Sequence, residues 1–242
     1  DRLLSVSEEE LELFASLYDP VGTPPLMARL PALHSVQLVA VLRKFAAFPK
    51  RLGDLKDGYL SLEMWHETNA QKDHTIRRET MFPEDENGMI LSGPHFYVAN
   101  PFYKSPQRIC EIHHHYDVLD LEHLPDTYLP RTNYVPDCSP EEYRRRTPSV
   151  PWDREKKVTE FYRFTNREMV SQSGERSLIP ALMPKGVGHV NTCISQVFRD
   201  SRNLVSFMGS SMSIPVDFRV KSTGMGHANT SLLNQLPLIN PV

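Results

Sequence analysis

Apolar residues recur at helical spacing in the first fifth of the chain. Ser7 and Glu10 have the Ser-x-x-Glu spacing of a capping box, and apolar residues follow at intervals of three or four until Pro20. A helix is therefore predicted near residues 7–18. A second stripe of the same period over residues 36–46 predicts another helix.

From residue 53 onward, short apolar segments alternate with Gly, Pro and Asn. Segments such as residues 89–91 and 96–98 are typical of strands in an irregular sheet. Residues 125–153 contain six prolines, which predicts a long ordered crossing without regular structure. Further on, residues 204–220 carry enough apolar side chains for a helix interrupted around Pro215.

Together these patterns predict a mixed α/β (α+β) fold. A helical N-terminal segment is expected over residues 1–54, followed over residues 55–242 by an irregular mixed-sheet domain with helices packed on it. No apolar run approaches the roughly 20 residues that span a bilayer, so no membrane partner is expected. Cys110, Cys138 and Cys193 form no Cys-x-x-Cys pair, which favours reduced thiols and a cytoplasmic location.

The formal charge of -3 is unevenly distributed along the chain. Residues 1–100 hold 10 basic and 15 acidic residues, whereas residues 101–242 hold 17 and 15. Basic residues are densest over 141–185, where they could form a phosphate-facing stripe. This basic stretch includes Arg144, Arg145, Arg146, Lys156, Lys157, Arg163, Arg167, Arg176 and Lys185.

One segment invites comparison with a catalytic motif of amino-group methyltransferases. Asn100-Pro101-Phe102-Tyr103 differs at one position from Asn-Pro-Pro-Tyr, in which the Asn binds the amine of a flipped base and the Tyr stacks on it. Such an enzyme also needs a Gly-rich turn for S-adenosylmethionine, and no Gly-x-Gly precedes Asn100. The segment is therefore interpreted as a structural turn, and no catalytic residue is assigned.

A second candidate is a run of three histidines in an acidic surrounding. On a strand, His113 and His115 would face the same side as Asp117, and these are the ligand types that a metal site uses. No second cluster with ligand spacing appears elsewhere. Adjacent histidines are also common on polar surfaces, so no metal ligand is assigned.

The sequence Gly-x-Gly-His-x-Asn occurs twice, at residues 186–191 and 224–229. Glycines let backbone amides approach a phosphate closely, while His and Asn can reach base edges or sugars. The other interpretation is a pair of tight turns with polar tips.

Several segments together resemble the specificity-bearing regions of large adenine-specific DNA methyltransferases of type II restriction-modification and related phage-defence systems. These segments are residues 92–103, 116–121, 129–134, 162–167 and 174–184, and Asn234-Gln235-Leu236-Pro237 resembles the sequence that often closes such regions. Residues 162–167 and 174–184 resemble the arginine-rich segment and the Glu-Arg-Ser-Leu-Ile pattern that follow the catalytic domain.

The resemblance implies target recognition on double-stranded DNA. The catalytic domain and its S-adenosylmethionine site would lie upstream in the parent polypeptide, so this chain is expected to be a non-catalytic fragment that holds no cofactor. A DNA-facing surface is expected to include Arg131, Asn133, Arg163, Arg167, Arg176, Lys185, His189, Asn191, His227 and Asn229.

Two other functions remain open from the residues alone. One is a metal-dependent nuclease or hydrolase built around His113, His115 and Asp117. The other is a protein-interaction domain of a defence complex.

Overall fold

A computed structural model describes residues 4–96, 101–112 and 114–239 of the protein. These residues form a mixed α/β structure with helices at the N-terminus, which confirms the predicted fold class. The α-helices are α1 Glu8–Tyr18, α2 Gln37–Ala46, α3 Glu67–Lys72, α4 Pro140–Arg146, α5 Ser201–Ser211, α6 Ile214–Lys221 and α7 Thr230–Leu233. Short 3-10 helices span Pro25–Met27, Leu52–Gly58, Glu86–Gly88, Gly93–Phe96 and Val158–Glu160.

The strands are short and belong to several small sheets. They are β1 Tyr59–Leu62, β2 Ile76–Met81, β3 Ile90–Leu91, β4 Lys104–Pro106, β5 Tyr116–Val118, β6 Thr132–Pro136, β7 Ser149–Val150, β8 Asp153–Lys157, β9 Arg163–Arg167, β10 Pro180–Met183, β11 Gly188–His189 and β12 Cys193–Phe198.

The centre of the fold is a four-stranded antiparallel sheet in the order β1-β12-β9-β10. Every residue of β12 is buried, and so are the first four residues of β9. Apolar residues of β9 and β12 pack in one cluster with those of α5, α6 and α7, including Phe164, Phe198 and Phe207. Removing this apolar surface from water is the main stabilising contribution at the centre of the fold.

Two-stranded pairs surround the central sheet. The pairs β2 with β6, β4 with β5, and β7 with β8 are antiparallel, whereas β3 and β11 pair in parallel. Tyr143 of α4 accepts a hydrogen bond from Trp65 Nε1 at 2.9 Å, and both side chains are buried in the cluster that joins β2, β3 and β6. The pairs β2 with β6 and β3 with β11 therefore share one apolar cluster.

The two N-terminal helices form as predicted. In α1 the Ser7 side chain accepts from the Glu10 amide, and the Glu10 carboxylate accepts from the Ser7 amide, so the capping box is complete. Apolar residues of α1 and α2 pack together, and Phe218 of α6 joins the same cluster. The domain boundary near residue 54 stays a prediction.

Buried polar contacts fasten α1 to α6. The Arg219 guanidinium donates to the Leu17 carbonyl and lies 4.2 Å from the centroid of the Tyr18 ring. The Tyr18 hydroxyl is 2.6 Å from the Ser222 hydroxyl. The beginning and the end of the chain are thus joined through charge, ring and hydroxyl contacts as well as apolar packing.

The proline-rich stretch over residues 125–153 is more regular than its composition predicts. It contains β6, α4 and β7, so the prediction of a crossing without regular structure was wrong. Pro140 is tolerated because it stands at the first position of α4, where its missing amide would have no partner, and Pro136 ends β6.

No helix in the described ranges is both long and apolar enough to cross a membrane.

Candidate nucleic-acid interface

A cleft of about 400 Å³ opens at one end of the central sheet. Three parts of the chain line it: the segment before β9, Lys185 shortly after β10, and the junction of β12 with α5. Lys156, Phe161, Tyr162, Lys185 and Arg199 contribute cationic and aromatic side chains to this lining, and we call it the β9 cleft.

Strand register explains why distant residues meet in the β9 cleft. Arg163, the first residue of β9, lies opposite Met183 of β10 and Val197 of β12. Both ladders end at Arg163, and Lys185 and Arg199 follow two residues after its partners, so all three strands direct their flanking residues to the same end of the sheet. The cleft is therefore a direct product of the sheet pairing.

The aromatic residues of the cleft have different environments. Phe161 is half-buried and meets the Trp152 ring edge-on, with 6.1 Å between the ring centroids. Tyr162 is 53% exposed, and the Lys185 ammonium lies 5.6 Å from its ring centroid. Phe161 thus anchors the wall, while Tyr162 presents an aromatic surface to solvent.

Cations outnumber available anions in this cleft. Lys185 and Arg199 are exposed, and neither forms an ion pair with a residue that the structure describes. Glu160 is tied up instead, because its carboxylate accepts from the Lys157 amide at 3.0 Å and from Arg144 at 2.9 Å. The Lys157 amide and then Arg144 lower the pKa of Glu160, so this carboxylate stays ionised and partnered.

A second cleft, of about 450 Å³, adjoins the first. Arg144, Thr159 and Gly186 line it, and the last two are chain neighbours of Glu160 and Lys185 in the β9 cleft. Gly186 has a φ of 84°, and a Cβ there would lie 2.9 Å from the Asn87 Oδ1 atom. This glycine lets the chain turn tightly between the two clefts.

Three of the predicted DNA-facing residues are buried. Asn133 donates to the Tyr116 hydroxyl at 2.7 Å and accepts from Thr80 at 3.0 Å. Arg163 is 0% exposed and donates to the Val187 carbonyl, and His189 is equally buried. These three side chains support the interior in this structure and do not reach the β9 cleft or any other exposed surface.

His189 is held as a neutral imidazole beside a buried cation. Its Nδ1 atom lies 3.1 Å from the Val190 carbonyl, to which it donates, and its Nε2 atom accepts from the Ser195 hydroxyl at 2.8 Å. Burial and then the charge of Arg163 lower the pKa of His189 to about 3. Burial also lowers the pKa of Arg163, to about 10, which leaves that guanidinium charged at neutral pH.

We expect the neutral His189 to make folding sensitive to acid. The unfolded chain binds a proton near pH 6.5, whereas the folded chain binds it only near pH 3, so this contribution is complete above pH 6.5 and is lost as pH falls. Between pH 7.5 and 5.5 the loss is about 1.4 kcal/mol in the free energy of unfolding. Urea unfolding at both pH values measures this loss. In His189→Gln the free energy of unfolding should fall by about 1.4 kcal/mol less than in the unmodified chain. In His34→Gln, which changes an exposed histidine, it should fall as much as in the unmodified chain. An unchanged pH dependence in His189→Gln would contradict the assignment.

Two predicted arginines stabilise the protein through side-chain contacts. Arg131 donates to the Pro106 carbonyl at 3.3 Å, lies 4.4 Å from the Phe82 ring centroid and is 3.8 Å from Asp117. Arg176 lies 3.4 Å from the Asp217 carboxylate and donates to the carbonyls at the end of α5. Each keeps about a quarter of its side chain exposed.

The other two predicted asparagines accept hydrogen bonds from backbone amides. Asn191 accepts from the Glu67 amide at 2.9 Å, at the start of α3. Asn229 accepts from the Leu232 amide at 3.1 Å and so caps α7.

The remaining predicted residues lie at both ends of β9. Arg167 ends this strand, and His227 is 56% exposed with its Nδ1 atom 3.4 Å from the Glu168 carboxylate. Backbone hydrogen bonds from Glu168 to Thr192 and from Ala228 to Glu168 bring the two Gly-x-Gly-His-x-Asn segments close together. Lys185 lies at the opposite end of β9, so the structure does not gather the predicted residues on one surface.

The sequence did not single out Tyr162 or Arg199 as site residues. Lys156 and Lys185 belong to the basic stretch identified from composition, but Arg199 lies outside it. The available signal was positional, because Tyr162 comes immediately before a strand and Arg199 immediately after one.

The described part of the proposed metal cluster shows protein contacts. Asp117 accepts from Gln107 Nε2 at 3.1 Å, and His115 Nδ1 accepts from the Glu111 amide at 3.3 Å. His113 lies outside the described residues, as does Asn100 of the methyltransferase-like segment. Among residues 4–96, 101–112 and 114–239, no three His, Cys, Asp or Glu side chains come together as metal ligands.

No protein-family model matches this chain, and no curated protein shows significant similarity to it.

Proposed function

We propose that this chain binds double-stranded DNA as the target-recognition part of an adenine-specific DNA methyltransferase from a restriction-modification or phage-defence system. The observation that carries the proposal is the β9 cleft, where Lys185 and Arg199 are exposed and form no ion pair with a carboxylate of the described residues. The resemblance of residues 162–167 and 174–184 to such recognition regions supports it, since these segments form β9, β10 and the approach to Lys185.

Unpaired cations favour phosphate binding for a simple electrostatic reason. An arginine or lysine already paired with a carboxylate must give up that contact to bind phosphate, whereas Lys185 and Arg199 need not. Arg144 and Lys156 extend the positive surface towards the adjoining cleft, although Arg144 pairs with Glu160 and Lys156 with Asp153. We assign the cleft to backbone contacts that position the duplex.

The remaining parts of the activity belong, in this proposal, to the parent polypeptide. An upstream domain would bind S-adenosylmethionine and carry out methyl transfer in the cytoplasm. The described residues would bind the duplex, and the chain on its own would not be catalytic.

Salt-dependent binding tests this proposal. Fluorescence anisotropy with a labelled duplex of about 30 base pairs should show affinity that falls as salt rises, because binding releases counterions from DNA. Lys185→Gln combined with Arg199→Gln should weaken binding about tenfold or more and reduce the slope of log K against log salt by about 2.

Lys44→Gln combined with Lys72→Gln provides a matched control. Both lysines are exposed and lie on α2 and α3, outside the residues that line the β9 cleft. This control should bind as the unmodified chain does. Equal weakening in both double variants would indicate general charge attraction, and salt-independent or absent binding would refute the proposal.

A further inference from the structure

The β9 cleft has two features that plain backbone binding does not require: an exposed aromatic ring and a concave volume. A cleft of about 400 Å³ lies within the range of small-ligand sites, which is roughly 300–1,000 Å³. A straight duplex presents its phosphates on a convex surface and has no free base face to meet the Tyr162 ring. The concave shape therefore calls for a ligand that can enter it.

We infer that the β9 cleft holds a single unpaired nucleotide of a DNA strand, with its base against Tyr162 and its phosphate between Lys185 and Arg199. This inference rests on the proposed function, because it names the part of the DNA that occupies the same cleft. Flat aromatic rings beside cations are the general means by which proteins hold unpaired nucleotides.

Tyr162 is the residue that provides for the base. Its ring is half-exposed, and no aromatic ring among the described residues stacks on it. The neighbouring Phe161 packs against Trp152, so this part of the cleft lining is held in place without a ligand. Every base has an aromatic face, so stacking here would tolerate any sequence.

Lys185 and Arg199 are the residues that provide for the phosphate. Both line the β9 cleft and are exposed, so each can offer its charge to an anion that enters the cleft. Arg199 is fixed at its backbone, where its amide donates to the Gly58 carbonyl at 2.9 Å. Lys185 holds its ammonium over one face of the Tyr162 ring, 5.6 Å from the centroid, which leaves the other face for a base and keeps the charge near the phosphate of that nucleotide.

The acidic residues around the cleft do not oppose an anion. Glu160 is bound by Arg144 and the Lys157 amide, and Asp200 at the start of α5 is paired with Arg202 at 2.8 Å. Their charges are compensated before any ligand enters.

The test compares two labelled duplexes that differ only by one bulged, unpaired adenine. We expect the full chain to bind the bulged duplex about tenfold more tightly than the perfect duplex. Tyr162→Ala should abolish this preference while retaining binding to the perfect duplex, and Tyr162→Phe should retain the preference because the ring remains.

The outcomes separate this inference from the proposed function. Equal affinity for both duplexes in the unmodified chain, or a preference that survives Tyr162→Ala, would overturn the inference and leave duplex recognition intact. Failure to bind either duplex would overturn the proposed function and the inference with it. Binding of free dAMP without any preference for the bulged duplex would assign the cleft to free nucleotides and overturn the inference for DNA. Circular dichroism of each variant checks that Tyr162 replacements leave the fold unchanged.

Discussion

Asp217→Ala is expected to lower the free energy of unfolding by about 3–5 kcal/mol. The Asp217 carboxylate is nearly buried and accepts from the amides of Ser177 and Leu178 at 2.9 and 2.8 Å. It also lies 3.4 Å from the Arg176 guanidinium. Its removal leaves two buried amides without partners and a partly buried cation without its counter-charge, and each of these costs free energy. Chemical denaturation followed by circular dichroism measures the loss.

Asp217→Asn is the matched control for this prediction. Its side-chain oxygen can still accept from both amides, so only the charge interaction with Arg176 is lost. We expect a destabilisation clearly smaller than that of alanine. Equal losses in both variants would mean that the amide contacts contribute little, and a loss below about 1 kcal/mol for alanine would contradict the assigned role.

Phe207→Ala is expected to cost about 3–5 kcal/mol by creating a cavity beneath the central sheet. Phe207 is completely buried in α5, and its ring centroid lies 4.8 Å from that of Phe164 on β9 and 6.0 Å from that of Phe198 on β12. The surrounding residues come from strands and helices that are paired on other sides, so they cannot collapse fully into the space. Thermal and urea unfolding both report this change.

Val205→Ala supplies the comparison on the same helix. Val205 is 70% exposed, so its truncation removes little buried surface, and alanine favours helix more than valine does. We expect a change within about 0.5 kcal/mol. A similar loss in both variants would mean that α5 itself, rather than its contact with the sheet, limits stability.

The parts of the fold that depend on local chemistry could be predicted from the sequence. The capping box at Ser7 specifies the start of α1 because both of its hydrogen bonds lie within four residues. The interruption expected around Pro215 is real, since α5 ends at Ser211 and α6 begins at Ile214, with Pro215 in its first turn.

The central strands could not be identified with the same certainty, because their interior contains polar residues. Arg163, Thr165 and Asn166 of β9 are completely buried, as are Ser195 and Gln196 of β12. A hydrophobic pattern cannot reveal such strands, since their burial depends on hydrogen bonds to partners distant in sequence.

The candidate site was harder still to predict. Residue type alone identified Lys185 as a candidate DNA-binding residue, but it identified Arg163 and His189 equally, and both of these are buried. Lys185, Tyr162 and Arg199 meet only because β9 pairs with β10 and β12 in a particular register. Charge and composition along the chain contain no information about that register.

The polar contacts between α1 and α6 have a practical consequence for shortening this protein. Removing residues 1–54 would remove the contacts of Arg219 with the Leu17 carbonyl and the Tyr18 ring. It would also expose the side of Phe218 that packs against α1 and α2. Arg219 would keep the Gln235 side-chain oxygen at 3.3 Å as an acceptor but would lose its other contacts, and it lies two residues from Asp217, which accepts from the Ser177 and Leu178 amides. The two N-terminal helices thus cover part of the interior of the remaining structure, and any shortened version of the protein should retain them.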